Sequence, residues 1–109
     1  PFEVSGSKLE EPGERRFLVK NPRGWEREVI VEIPDDVVAY AERITRRRLP
    51  PENSFWTYRA EHTLATYLWN ESRFPDGALT ISELTREELD VAARWESDKV
   101  TAAGSILGR

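Results

Sequence analysis

The 109-residue sequence predicts an α+β fold, in which an N-terminal antiparallel β-hairpin or three-stranded meander is followed by three α-helices. Residues 25–33 alternate between the two faces expected of a strand. Residues 54–72 instead space their apolar side chains as a helix does. Because the strand patterns come first and the helical patterns follow, we expect one sheet with helices packed on it.

Three strands are predicted in the first third of the chain. In the strand of residues 25–33, the face expected to be buried carries Trp25, Arg27, Val29, Val31 and Ile33. The run Arg16–Lys20 is rich in β-forming residues, and Asn21–Gly24 links the two strands with Pro and Gly at favoured turn positions. A second turn at Glu11–Glu14 implies that Phe2–Leu9 adds an edge strand.

The first helix is predicted to begin after Pro34, with Asp35 or Asp36 as its cap. Its buried stripe is expected to contain Val37, Ala41 and Ile44. Three consecutive arginines, residues 46–48, close this helix, where positive charge meets the exposed carbonyl groups.

The second helix is predicted from Ser54, as its cap, to about Ser72. Its expected buried residues are Trp56, Ala60, Leu64, Tyr67 and Leu68. Residues 78–81 then form a short strand, and Thr85 with Glu88 has the spacing of a capping box that opens a third helix through Trp95. The expected packing residues of this helix are Leu89, Ala92, Val91 and Trp95.

The whole chain, residues 1–109, is predicted to form a single domain. We divide it into a β-rich part at 1–33, a helical part at 34–99 and a tail at 100–109 that frays or is ordered by a partner. The sequence contains no cysteine, which excludes disulfides, zinc-thiolate sites and a cysteine nucleophile. A cytoplasmic location is therefore expected, and no apolar run is long enough to cross a membrane.

No residue pattern predicts a catalytic, metal or cofactor site. His62 is the single histidine, and its helical neighbours three and four residues away include no carboxylate that could orient the ring. The acidic pairs 35–36 and 87–88 lie where helix starts favour negative charge. We expect a protein that is not an enzyme, although carboxylates brought together by the fold would form a site that sequence cannot show.

Two groups of residues are candidates for binding. The basic group, a candidate for phosphate or an acidic partner, contains Arg43, Arg46, Arg47 and Arg48. Its alternative explanation is a solvated helix end that complements the helix dipole. The aromatic group, a candidate protein interface, contains Phe55, Tyr58, Trp69 and Phe74. One apolar stripe cannot hide all of these rings, so at least one of Phe55, Tyr58 and Trp69 is expected to be exposed.

Residues 28–69 resemble the ribbon-helix-helix family in the order of their elements: the strand Val29–Ile33, the helix start Pro34–Asp36, and a second helix that contains Ala65–Leu68. The resemblance implies a dimeric DNA-binding regulator or antitoxin whose strand pairs with its twin and reads bases through Glu28, Ile30 and Glu32. Two of these three side chains are carboxylates, which DNA phosphates repel.

The sequence therefore favours a non-enzymatic interaction or accessory protein that uses its aromatic second helix to bind another protein or its own copy. The alternative is the ribbon-helix-helix regulator, in which the basic group would contact phosphates. The net charge of −4 does not favour nucleic acid as a partner.

Overall fold

Four strands and three helices follow one another in the order β-β-β-α-α-β-α in a computed structural model that describes residues 1–8 and 11–96. The elements are β1 (Glu3–Lys8), β2 (Glu14–Lys20), β3 (Glu26–Glu32), α1 (Asp35–Thr45), α2 (Ser54–Glu71), β4 (Leu79–Thr80) and α3 (Arg86–Ala93). The predicted tail at residues 100–109 lies outside the described residues.

The strands form one sheet in the order β1-β2-β3-β4. The first three pair antiparallel, with Phe17 opposite Val29 in the β2–β3 ladder, and β1 is an edge strand as predicted. β4 pairs parallel with β3, with Leu79 opposite Val31. The α+β class is confirmed, and β1, β2 and β3 form a three-stranded antiparallel meander. The sheet as a whole is not a simple meander, because β4 returns from the helical half and makes it mixed.

The strand at 25–33 begins one residue later than predicted, and this exposes Trp25. Its backbone N–H donates to the side-chain oxygen of Asn21 at 2.9 Å, which holds Trp25 in the turn before β3 with 69% of its surface exposed. Arg27 is exposed as well and lies over the Phe74 ring at 4.8 Å. The prediction that these two side chains are buried was wrong, whereas Val29, Val31 and Ile33 are buried as expected.

The molecule has two layers, with the helices on one face of the sheet. Buried side chains alternate along β2 and β3, as one covered face requires, and they join buried helix residues in a single core. This core contains Phe17, Val19, Val29, Val31, Ile33, Val37, Val38, Ala41, Leu49, Phe55, Trp56, Ala60, Leu64, Leu68, Ile81, Leu84 and Ala92.

α1 begins at Asp35, and its cap residue is Pro34, which makes no side-chain capping hydrogen bond. Asp35 and Asp36 therefore lie in the first turn, and neither is the cap. Their negative charges interact favourably with the positive end of the helix dipole. Val37 and Ala41 are buried as predicted. Ile44 is 49% exposed, so its predicted place in the core was wrong.

α2 is capped by Asn53, whose side-chain oxygen accepts the N–H of Phe55 at 2.8 Å. The predicted cap, Ser54, is instead the first helical residue, and its hydroxyl accepts the indole N–H of Trp95 at 2.9 Å. The expected core residues Trp56, Ala60, Leu64 and Leu68 are buried, and Tyr67 is half-buried.

α3 has the capping box that the sequence predicts. The Glu88 N–H donates to the Thr85 hydroxyl at 3.2 Å, and the Thr85 N–H donates to the Glu88 carboxylate at 2.8 Å. The helix ends at Ala93, two residues earlier than expected.

A buried arginine joins the sheet to the start of α2. Arg15 lies on the inner face of β2 with 1% of its surface exposed. Its guanidinium donates to the Thr57 hydroxyl at 2.6 Å and to the carbonyls of Pro51 and Asn53 at 2.7 and 3.3 Å. Burial lowers the pKa of Arg15, and the nearby Glu52 carboxylate opposes this shift. Because these acceptors belong to the loop before α2 and to its first turn, Arg15 fixes where α2 starts over the sheet.

Candidate interaction surface

The exposed side of α2 carries few charges, which are the carboxylates of Glu61 and Glu71. Four exposed residues form one stripe along it at the spacing i, i+4, i+7 and i+11: Tyr58, His62, Ala65 and Trp69. We call this set the α2 stripe. None of the four is a carboxylate, a lysine or an arginine, although charged residues make up 33% of the chain. The α2 stripe is therefore an uncharged strip on the exposed side of the helix, bordered by Glu61.

Among the residues that the structure describes, Trp69 is the most exposed large apolar side chain, at 86% of its surface. Tyr58, at the other end of the α2 stripe, is 39% exposed because the Trp95 ring lies against it with 5.1 Å between centroids. The expectation that at least one of these rings is exposed is confirmed. The indole of Trp69 has few neighbours of its own, so it adds little to the stability of the isolated domain.

Beside Trp69, α2 and β1 enclose an apolar groove of about 570 Å³, which we call the β1–α2 groove. One wall comes from the N-terminal strand and the β2–β3 turn, and the other comes from the last turns of α2. The lining residues are Pro1, Phe2, Val4, Pro22, Ala65, Leu68, Trp69 and Ser72. Among these residues no side chain is charged, so the groove favours an apolar ligand surface.

The position of β1 explains why this groove is open. Val4 lies opposite Val19 in the β1–β2 ladder and therefore faces the helical layer. Val19 is fully buried, whereas Val4 is exposed at the sheet edge. Phe2, on the same face, packs edge-on against Phe74 with 5.9 Å between centroids.

The four aromatic interface candidates differ in how far the structure buries them. Phe55 is fully buried, in edge-on contact with Trp56 at 5.0 Å, and therefore leaves the candidate surface. Phe74 is half-buried between Phe2 and Arg27, next to the groove. Tyr58 and Trp69 remain on the surface, at opposite ends of the α2 stripe.

The four basic candidates differ in their contacts and in their exposure. Arg47 donates to the carbonyls of Ala92 and Trp95, each at 2.7 Å, and so caps the C-terminal end of α3. The Arg43 guanidinium lies over the Tyr40 ring at 5.4 Å. Arg46 and Arg48 are exposed, and Arg46 has the left-handed backbone conformation that ends α1. Arg47 is therefore engaged within the fold, and the exposed members of the basic group are Arg43, Arg46 and Arg48.

His62 contacts an arginine rather than a carboxylate. The Arg59 guanidinium donates to His62 Nδ1 at 3.2 Å and pairs with the Glu88 carboxylate at 2.9 Å. Arg59 is buried, and its Nε has no hydrogen-bond partner among the residues that the structure describes. Because Glu88 also accepts the Thr85 N–H, this cluster ties α3 to α2 rather than orienting the imidazole for proton transfer.

The strand that resembles a DNA-reading ribbon is paired on both sides. β3 pairs with β2 from Glu26 to Glu32 and with β4 at Val31 and Glu32. A ribbon with a twin strand would have to displace one of these neighbours.

Sequence reasoning did not identify Arg15, Arg59 or the β1 wall of the groove. The signal for Arg15 is present in the alternation of Arg15, Phe17 and Val19.

Within residues 1–8 and 11–96, no cluster of three or more His, Asp or Glu side chains could hold a metal ion. The same residues include no helix with the length and apolar character needed to cross a membrane. No protein-family description, curated protein or solved structure matches this chain.

Proposed function

We propose that this protein is a binding domain without chemistry of its own, which docks another protein or a second copy of itself on the β1–α2 groove and Trp69. The observation that carries the proposal is that Trp69 is 86% exposed and forms a wall of this uncharged groove. Tryptophans that enter an apolar pocket commonly supply much of the binding energy of a protein interface.

The contrast between the two faces of the sheet supports this location. The outer face presents charged side chains of β2 and β3, among them Arg16, Glu28 and Glu32. Charged, alternating side chains of this kind are typical of a solvated face. The β1–α2 groove is lined by no charged side chain, and clustered exposed apolar residues mark interaction sites.

The buried arginines support a structural rather than catalytic use of the polar groups. Arg15 holds the loop before α2, and Arg59 pairs with Glu88. Arg47, half-buried, caps α3. Each guanidinium therefore makes contacts that join two secondary-structure elements or a loop to an element.

The experiment is affinity capture from the native organism with three forms of the full chain: the wild type, Trp69→Ala and Trp25→Ala. Trp25 is the matched control, because it is also an exposed tryptophan, at 69%, and does not line the groove. We expect the wild type and Trp25→Ala to retain the same partners and Trp69→Ala to lose them, with all three unfolding at nearly the same temperature.

The same partners on Trp69→Ala as on the wild type would contradict the proposal, as would a large fall in the thermal midpoint of that variant. We also expect no retardation of genomic DNA fragments by the protein at low salt, since Glu28 and Glu32 are exposed on β3. A specific shift would favour the ribbon-helix-helix alternative instead.

A further inference from the structure

We propose that the occupant of the β1–α2 groove is a second copy of this chain, with the Trp69 indole of each copy inserted into the groove of the other. The inference rests on the proposed function, since it names the partner for the same surface. It assigns a two-fold symmetric dimer whose axis passes beside Trp69 and Ala65.

The arrangement of the surface makes it complementary to itself. Trp69 is 86% exposed and also forms a wall of the groove, so a projecting ring and an open site lie side by side. In a two-fold interface the same patch is used by both partners. One rotation therefore places each ring in the other copy's groove and leaves neither feature uncovered.

The charges on this surface permit two copies to approach. The side chains that line the groove are uncharged, and so are Tyr58, Ala65 and Trp69 of the α2 stripe. A two-fold contact centred on a charged patch would oppose like charges, and the groove lining avoids that cost, while the charges on the exposed side of α2 are those of Glu61 and Glu71. Ala65 is small, which allows the two α2 helices to approach closely beside the inserted rings.

The area available indicates a weak dimer. A buried tryptophan removes about 150–250 Å² from solvent, and the groove walls that it covers contribute a similar amount. Two reciprocal contacts therefore bury roughly 600–1,000 Å², below the 1,200 Å² or so of stable specific interfaces. We expect a dissociation constant between about 10 µM and 1 mM.

The first test is sedimentation equilibrium of the full chain from about 5 µM to about 1 mM. We expect the average mass to rise from 12.6 kDa towards twice that value over this range. Trp69→Ala removes the ring, and Ala65→Arg places a charge in the groove while keeping Trp69, so both should stay monomeric. Trp25→Ala should associate as the wild type does.

The second test locates the contact. The chain has no cysteine, so one introduced cysteine reports on a single position. Ala65→Cys, close to the proposed axis, should be joined to its copy by a short bifunctional maleimide reagent. Ala39→Cys, exposed on α1, is the matched control and should not.

A monomeric wild type at every concentration would overturn the self-association. The proposed function would still stand if capture of another protein depends on Trp69. Association that persists in both Trp69→Ala and Ala65→Arg would overturn the proposed contact, and unchanged capture by Trp69→Ala would overturn the proposed function. A monomer whose Trp69 is shielded from a soluble quencher would assign the groove to the same chain and also overturn the dimer.

Discussion

Replacement of Arg15 by methionine should destabilise the domain strongly, although Arg15 lies far from the candidate surface. Methionine keeps an apolar stem of similar length and removes the guanidinium. Five hydrogen bonds are lost: those to the Thr57 hydroxyl and to the carbonyls of Pro12, Glu14, Pro51 and Asn53. The carbonyls that precede α2 then lose a donor in a part-buried site.

The size of the effect follows from two opposing terms. Each hydrogen bond to a charged group contributes about 1.5–3 kcal/mol, and each buried carbonyl left unpaired costs about 1–3 kcal/mol. The substitution also removes the desolvation penalty of burying the guanidinium, and this offsets part of the lost stability. We expect the free energy of unfolding to fall by about 3–5 kcal/mol, and the thermal midpoint by roughly 12–30 °C.

The assay is urea unfolding followed by tryptophan fluorescence and circular dichroism. Arg16→Met is the matched control, because Arg16 is the next residue of β2, faces solvent and pairs with Glu14 and Glu28 at the surface. That variant should lose no more than about 1 kcal/mol. Arg15→Lys should fall between the two, since an ammonium keeps the charge with three donors instead of five.

The reasoning would be refuted if Arg15→Met unfolded within about 1 kcal/mol of the wild type. It would also fail if Arg16→Met were as damaging, because the effect would then come from charge on β2 rather than from the buried hydrogen bonds.

Three further substitutions test contacts between elements. Arg47→Ala should cost about 1–2 kcal/mol by uncapping α3, whereas Arg48→Ala, exposed on the same segment, should leave the urea midpoint nearly unchanged; equal effects would reject the capping role. Thr85→Ala should cost about 0.5–2 kcal/mol and reduce helicity in circular dichroism, and no loss would mean that the capping box is not formed in solution. Trp56→Phe should cost about 2–4 kcal/mol in urea unfolding, because it leaves a void and removes the indole N–H that donates to the Leu49 carbonyl at 2.8 Å. A neutral result there would show that the core repacks around the smaller ring.

The elements that depend on neighbouring residues could be predicted from the sequence. The alternation around Val29 and Val31, the spacing of Trp56, Ala60 and Leu64, and the capping box of Thr85 are all local patterns. The predictions were wrong at the ends of elements, where a single contact decides whether a residue belongs to the element. Trp25 continues the alternation of β3 but is held in the turn by Asn21.

Features that join distant parts of the chain could not be predicted. An inward arginine such as Arg15 is stable only if acceptors surround it, and its acceptors come from residues 51, 53 and 57 as well as from the adjacent turn. The pattern of the second helix alone predicts Trp69 as an interface candidate. The groove beside it also needs Phe2 and Val4, which reach it only because β1 occupies the sheet edge.

The parallel strand β4 is the shortest strand of the sheet and pairs with β3 at two residues. The contact between Thr80 and Glu32 closes a segment of 48 residues, whereas β1, β2 and β3 are joined by short turns. Two residues of ladder hold this edge of the sheet, whereas the β2–β3 ladder runs over seven residues. Transient fluctuations should therefore release β4 while the three-stranded meander stays closed. We therefore expect hydrogen exchange to be faster at the β4 edge than in the β2–β3 ladder.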